Sequence, residues 1–193
     1  MRRVPQGTLI LSTLCGSWLG MMALHEFGHV LHAWLSGGAV TGVDLPLVGF
    51  SQTHVSPNPH PQFVAWGGAV WGSLLPLVLW LATRHWARRQ AFLAAFFAGF
   101  CCLANGAYLA AGSFLGATSD ADDAHELLGP GAARWQLIAF GVIAGAVGIR
   151  LWHGLGSSFG LGAAQGVVDR KAAAAAVGAF ISWIILYLIV AVA

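Results

Sequence analysis

Residues 8–35 read TLILSTLCGSWLGMMALHEFGHVLHAWL, and Glu26 is the only formally charged side chain in this stretch. A helix rises about 1.5 Å per residue, so roughly 20 apolar residues cross a hydrocarbon core of about 30 Å. Polar side chains inside such a span need partners within the protein, because lipid offers none. The stretch therefore predicts a first membrane helix that carries a polar site.

The rest of the chain repeats this apolar pattern. Hydrophobic side chains make up 58% of the residues and charged ones 8%, against about 25% charged residues in soluble domains. We predict one all-α, multi-pass integral membrane domain over residues 1–193, embedded in a lipid bilayer. The charges form no basic stripe with interleaved aromatics, which excludes nucleic acid as a partner. The predicted spans are about 8–35, 63–83, 91–115, 132–152 and 172–192.

Residues 38–55, directly after the first span, have a different pattern. They contain β-branched residues, partial alternation and a central proline, which together predict a short β-hairpin-like loop. The edge of such a hairpin could hold an extended peptide by main-chain hydrogen bonds. In later spans, the pairs Gly68 and Gly72, and Gly141 and Gly145, predict close packing of helices. Such faces also allow a homo-oligomer or a regulatory membrane partner.

The first span contains the pattern H-E-x-x-H at His25, Glu26 and His29. A spacing of four residues places both imidazoles on one helical face, where they can bind one zinc ion, and the glutamate can take the proton of a water on the metal. Ionisable side chains in a membrane helix are costly unless they are paired or ligated. His32 follows on the same face, and we expect it to be an outer partner of the site rather than a ligand.

A zinc hydrolase needs three protein ligands and one open position, so a third ligand must come from elsewhere in the chain. The best source is residues 118–126, TSDADDAHE, which contain four of the seven acids in the sequence. This segment directly follows the third predicted span. The residues alone leave Asp120, Asp122 and Asp123 open as candidates.

The motif in the first span, the hairpin-like loop after it, and Asn105 in the third span ahead of an aspartate together resemble the site-2 protease family of intramembrane metalloproteases. More narrowly, the chain is similar to the small bacterial branch that lacks a PDZ domain. The resemblance covers about residues 10–130. It implies a zinc metalloendopeptidase of a bacterial cell membrane, with one zinc ion per chain, that hydrolyses peptide bonds within or near transmembrane segments of membrane protein or peptide substrates.

The resemblance also implies roles for individual residues. An aspartate after the third span completes the zinc site, and the Ser-Asp-Ala sequence around Asp120 looks like the form of the motif used in the small branch. We therefore expect Asp120 as the third ligand, with Asp123 and Asp122 as alternates, and Asn105 as a residue that binds the substrate backbone. The chain departs from the common family pattern in having Tyr108 where a proline is usual, and in lacking Leu-Asp-Gly.

Two other classes of protein stay open. A non-proteolytic metal-binding membrane protein would use His25 and His29 but would not need Glu26. A di-iron membrane oxygenase would use a histidine cluster, and His25, His29 and His32 form one. The other histidines are scattered singly along the chain, so a second iron has no obvious cage. The metal content of the protein would separate zinc hydrolase from iron oxygenase.

Overall fold

The computed structural model of the chain describes residues 3–115, 123–129 and 131–192. Five of its helices are long and apolar enough to cross a membrane, which confirms the predicted all-α polytopic fold. The short helix α4 lies between the third and fourth of them. In chain order the helices are α1 (Arg3–Leu35), α2 (Pro61–Trp86), α3 (Ala91–Leu115), α4 (Asp123–Leu128), α5 (Arg134–Trp152) and α6 (Arg170–Val190).

The helix ends differ from the predicted spans by up to five residues. Apolar length marks the part of a helix that lipid surrounds, whereas the helix itself continues into polar flanks. The start of α1 shows this, since it begins at Arg3 rather than at residue 8. The Gln6 side chain in its first turns donates hydrogen bonds to the carbonyls of Phe159 and Gly160, at 3.1 and 2.9 Å.

The predicted hairpin is also confirmed. Strands β1 (Val40–Asp44) and β2 (Gln52–Val55) pair antiparallel. Gly37, with φ of 78°, ends α1 in the left-handed region that glycine adopts without strain, so the chain turns at once into the hairpin. The loop between the strands lies back along α1, where the rings of Phe50 and Trp18 are 6.2 Å apart. The hairpin therefore covers one side of α1.

In the bundle, α1 packs against α2 and α6, and α3 packs against α2 and α5. The backbones of α1 and α2 touch at Gly28 and Gly67, where a Cβ on either residue would overlap the carbonyl group of the other. The predicted close packing is found at Gly72 and at Gly141, where a Cβ would overlap residues of α3, but a Cβ on Gly145 would meet nothing within 4 Å. The close approach of α1 to α2 therefore lies within the H-E-x-x-H motif.

Candidate metal centre

Three ionisable side chains meet between α1 and α4. His25 and His29 lie on one face of α1, and Asp123 is the first residue of α4. One Asp123 oxygen is 3.0 Å from Nε2 of His25, and its other oxygen is 3.4 Å from Nε2 of His29. All three potential ligand atoms lie within 4.8 Å of one another, so the group could hold a metal ion.

Hydrogen bonds on the far side of each imidazole fix which nitrogen carries the proton. Nδ1 of His29 donates to the Val64 carbonyl at 2.9 Å. Asn105 donates its amide N–H to the Cys101 carbonyl, so its Oδ1 faces Nδ1 of His25 at 2.7 Å and must accept from it. In the neutral form of each imidazole, Nε2 is therefore the nitrogen with the lone pair and faces the acid, as metal-ligating histidines require.

The donor set is of a type that binds zinc. Two imidazoles and one carboxylate are a common protein ligand set for zinc, and ligands of a tetrahedral zinc at about 2.0–2.2 Å stand roughly 3.3–3.5 Å apart. The separations from His25 and His29 to Asp123, 3.0 and 3.4 Å, run to different carboxylate oxygens and are close to this value, and the three ligand atoms lie within 4.8 Å of one another. Burial by itself raises the pKa of Asp123, but the positive charge and hydrogen bonds of protonated His29 and His25 outweigh burial and hold that pKa below its usual range. A metal cation between the same three side chains would replace those protons and would likewise favour the ionised carboxylate, the form that a ligand needs.

Glu26 lies beside the metal group but is not part of it. Its side chain is 3% exposed, and it accepts hydrogen bonds from the hydroxyls of Ser51 and Thr53, each at 2.6 Å. Glu26, both histidines and Asp123 all line one cavity of about 390 Å³, together with residues of β2. An acid that can exchange protons therefore shares a cavity with a group that could bind metal.

Of the three predicted candidates for the third ligand, Asp123 lies with the histidines. Asp120 and Asp122 are outside the described residues, so the structure does not test the expectation of Asp120 from the sequence, while the contacts of Asp123 favour that alternate. Tyr108, where the chain departs from the family pattern, lies next to this group. Its hydroxyl oxygen accepts from the Asp123 backbone N–H at 3.3 Å, and its ring meets His25 edge to face at 5.9 Å.

Asn105 and His32 lie outside the group of three potential metal ligands, and both are hydrogen-bonded to residues in or around it. Asn105 is 1% exposed, and both polar ends of its amide bond protein groups, so its contacts orient His25. Its predicted role in binding substrate stays a prediction. His32 donates from Nδ1 to the Phe63 carbonyl and accepts the Trp71 indole N–H on Nε2 at 3.0 Å. With both nitrogens engaged, His32 ties α1 to α2 and does not join the metal group.

Ser51 and Thr53 were not identified from the sequence. The available signal was alternation, since residues two apart in an extended strand point to the same face. Glu126 was considered only as one of the acids after the third span, and it lines the same cavity. Burial and then the charge of Asp123 raise the pKa of Glu126.

We expect Asp123→Ala to lose the metal, and Asp120→Ala and Asp122→Ala to keep it. Removing one of three protein ligands leaves two imidazoles, which is too few for a stable zinc site. Zinc per chain, measured by mass spectrometry on detergent-purified protein, should fall from about one to below about 0.1. Retention in Asp123→Ala with loss in Asp120→Ala would instead assign the third ligand to Asp120.

Comparison with family models, with curated proteins and with solved structures finds no match to this chain. A function for the chain must therefore be argued from the chemistry of the site itself.

Proposed function

We propose that the chain is an intramembrane zinc metalloprotease of the site-2 protease type, which hydrolyses peptide bonds in or near transmembrane segments of membrane protein substrates. The observation that carries this proposal is the shared cavity of Glu26 with His25, His29 and Asp123. A protein that only stored or carried metal would not need Glu26, because the acid is outside the three-ligand group.

Each side chain has a role in the proposed reaction. His25, His29 and Asp123 would hold a zinc ion, which would supply the Lewis acidity needed for water to attack a peptide carbonyl. Glu26 accepts one proton from the attacking water and later delivers it to the leaving nitrogen as the C–N bond breaks. Asn105 and the Val64 carbonyl keep the imidazoles oriented throughout, because they hold the two Nδ1 protons.

The cavity also suggests how a substrate is presented. A peptide bond in a transmembrane helix is already hydrogen-bonded, so the helix must unwind locally before its carbonyl can react. All four residues of β2 line the cavity, and the strand pairs with β1 along one side. An unwound substrate segment running along β2 would exchange its helical hydrogen bonds for strand bonds beside Glu26.

The proposal is tested on the full chain purified in detergent, with fluorescently labelled casein as an unstructured substrate. We expect about one zinc per chain and hydrolysis that stops with the chelator 1,10-phenanthroline and returns with added zinc. The isomer 1,7-phenanthroline cannot chelate and is the matched control. Zinc without hydrolysis would favour a non-proteolytic metal protein, and iron in place of zinc would favour an oxygenase.

A further inference from the structure

The hairpin supplies two hydroxyl groups to the buried acid of the site. We propose that Ser51 and Thr53 are positioning residues that hold the Glu26 carboxylate in the orientation needed for proton transfer. This inference rests on the proposed function for its catalytic meaning. We call the two hydrogen bonds from Ser51 and Thr53 to Glu26 the clamp. Its existence can be tested without any substrate.

The geometry gives one donor to each carboxylate oxygen. The Ser51 hydroxyl donates to Oε1 and the Thr53 hydroxyl to Oε2, both at 2.6 Å. A glutamate side chain rotates about three torsions, and two bonds at separate oxygens fix both its position and its plane. Ser51 directly precedes β2 and Thr53 lies within it, so their spacing of two residues points both hydroxyls to one face.

These contacts leave Glu26 able to react. Each carboxylate oxygen can accept two hydrogen bonds, so one donor per oxygen leaves room for the proton of a water. Hydroxyl donors to an ionised carboxylate form short, strong bonds. Within the described part of the chain, no lysine or arginine forms an ion pair with Glu26. Neutral hydroxyl donors, rather than an ion pair, therefore orient the Glu26 side chain.

The clamp also links the hairpin to the catalytic acid. Glu26 belongs to α1, and both donors come from a segment that follows it by 25 and 27 residues. The acid is held only when β2 lies against α1. Docking of the hairpin and orientation of the base are therefore one structural event, and a substrate strand along β2 would lie directly beside the clamp.

The first test observes the Glu26 carboxylate directly by ¹³C NMR. The chain contains only two glutamates, Glu26 and Glu126, so protein labelled with δ-¹³C-glutamate gives two carboxyl resonances, and Glu26→Gln assigns them. Thr53→Val and Ser51→Ala should each shift the Glu26 resonance and leave that of Glu126 in place. Thr53→Ser should restore it. An unchanged Glu26 resonance in the variant that combines Ser51→Ala with Thr53→Val would show that the clamp does not exist.

The second test reads catalysis with labelled casein. Thr53→Val and Ser51→Ala should lower kcat by about tenfold to a hundredfold, since small misplacements of a catalytic group have effects of this size. KM should change less than about twofold, zinc content should stay constant, and Thr53→Ser should recover most of kcat. Thr83→Val is the matched control, because the Thr83 hydroxyl donates to the Trp80 carbonyl of its own helix.

The two tests separate the two proposals. A wild type that binds zinc but leaves casein intact would count against the protease, while the carboxyl resonances would still decide whether the clamp exists. If the wild type is active and the Thr53→Val, Ser51→Ala double variant keeps full kcat, the positioning role is overturned. The proposed protease function is not affected by that result.

Discussion

Gly68→Ala is expected to empty the metal centre without removing any ligand. Gly68 lies on α2 opposite the imidazoles of His25 and His29. A Cβ at this position would lie 2.6 Å from Nε2 of His25 and even closer to Nε2 of His29. These are the two atoms that would bind the metal, and they cannot retreat because their other nitrogens are hydrogen-bonded to Asn105 and Val64.

The measurement for Gly68→Ala is zinc per chain on detergent-purified protein, which should fall from about one to below about 0.1. Gly145→Ala is the matched control, because it makes the same change in a helix where a Cβ meets nothing within 4 Å. Alanine favours helix over glycine by about 1 kcal/mol, so the substitution does not weaken α2 by propensity. Full zinc occupancy in Gly68→Ala would show that the imidazoles do not converge beside Gly68.

The features that were predicted from sequence depend on local patterns. Apolar runs predicted five spans, and α3 has the predicted bounds of 91–115. Alternating β-branched residues predicted the hairpin. The four-residue spacing of His25 and His29 places them on one face of any α-helix, wherever that helix lies in the fold. Each of these inferences needed only residues that are close together in the chain.

The third ligand could not be chosen from local pattern alone. Asp120, Asp122 and Asp123 lie within four residues of one another, so spacing does not separate them. The choice depends on where α4 begins and on its packing against α2 and α3. In the structure α4 begins at Asp123, which places that side chain opposite His25 and His29.

The contacts that orient the site are long-range. The bond between His25 and Asn105 joins residues 80 apart, and the bond of Glu26 to Thr53 spans 27 residues. Such pairs follow from the register of the hairpin against α1 and from the crossing of α1 with α3, neither of which the sequence pattern specifies. The sequence pattern therefore contained no sign that Asn105 contacts His25, and the expected role of Asn105 in binding substrate stays a prediction.

Glu26→Gln is expected to keep the zinc and to lose nearly all hydrolysis. The amide has the size of the carboxylate, and it can still accept a hydrogen bond from Ser51 or Thr53 through its oxygen. Zinc content should stay near one per chain, because Glu26 is outside the group formed by His25, His29 and Asp123. An amide cannot take a proton from water at neutral pH, so the reaction loses its general base.

Hydrolysis of labelled casein by Glu26→Gln should fall about a thousandfold, within the range typical for loss of general acid–base catalysis. Asp169→Asn is the matched acid-to-amide control. Asp169 caps α6 by accepting from the Lys171 backbone N–H at 2.8 Å, and asparagine caps helices equally well. Undiminished hydrolysis in Glu26→Gln would remove the acid from the mechanism. Loss of zinc in the same variant would instead show that Glu26 helps to hold the metal.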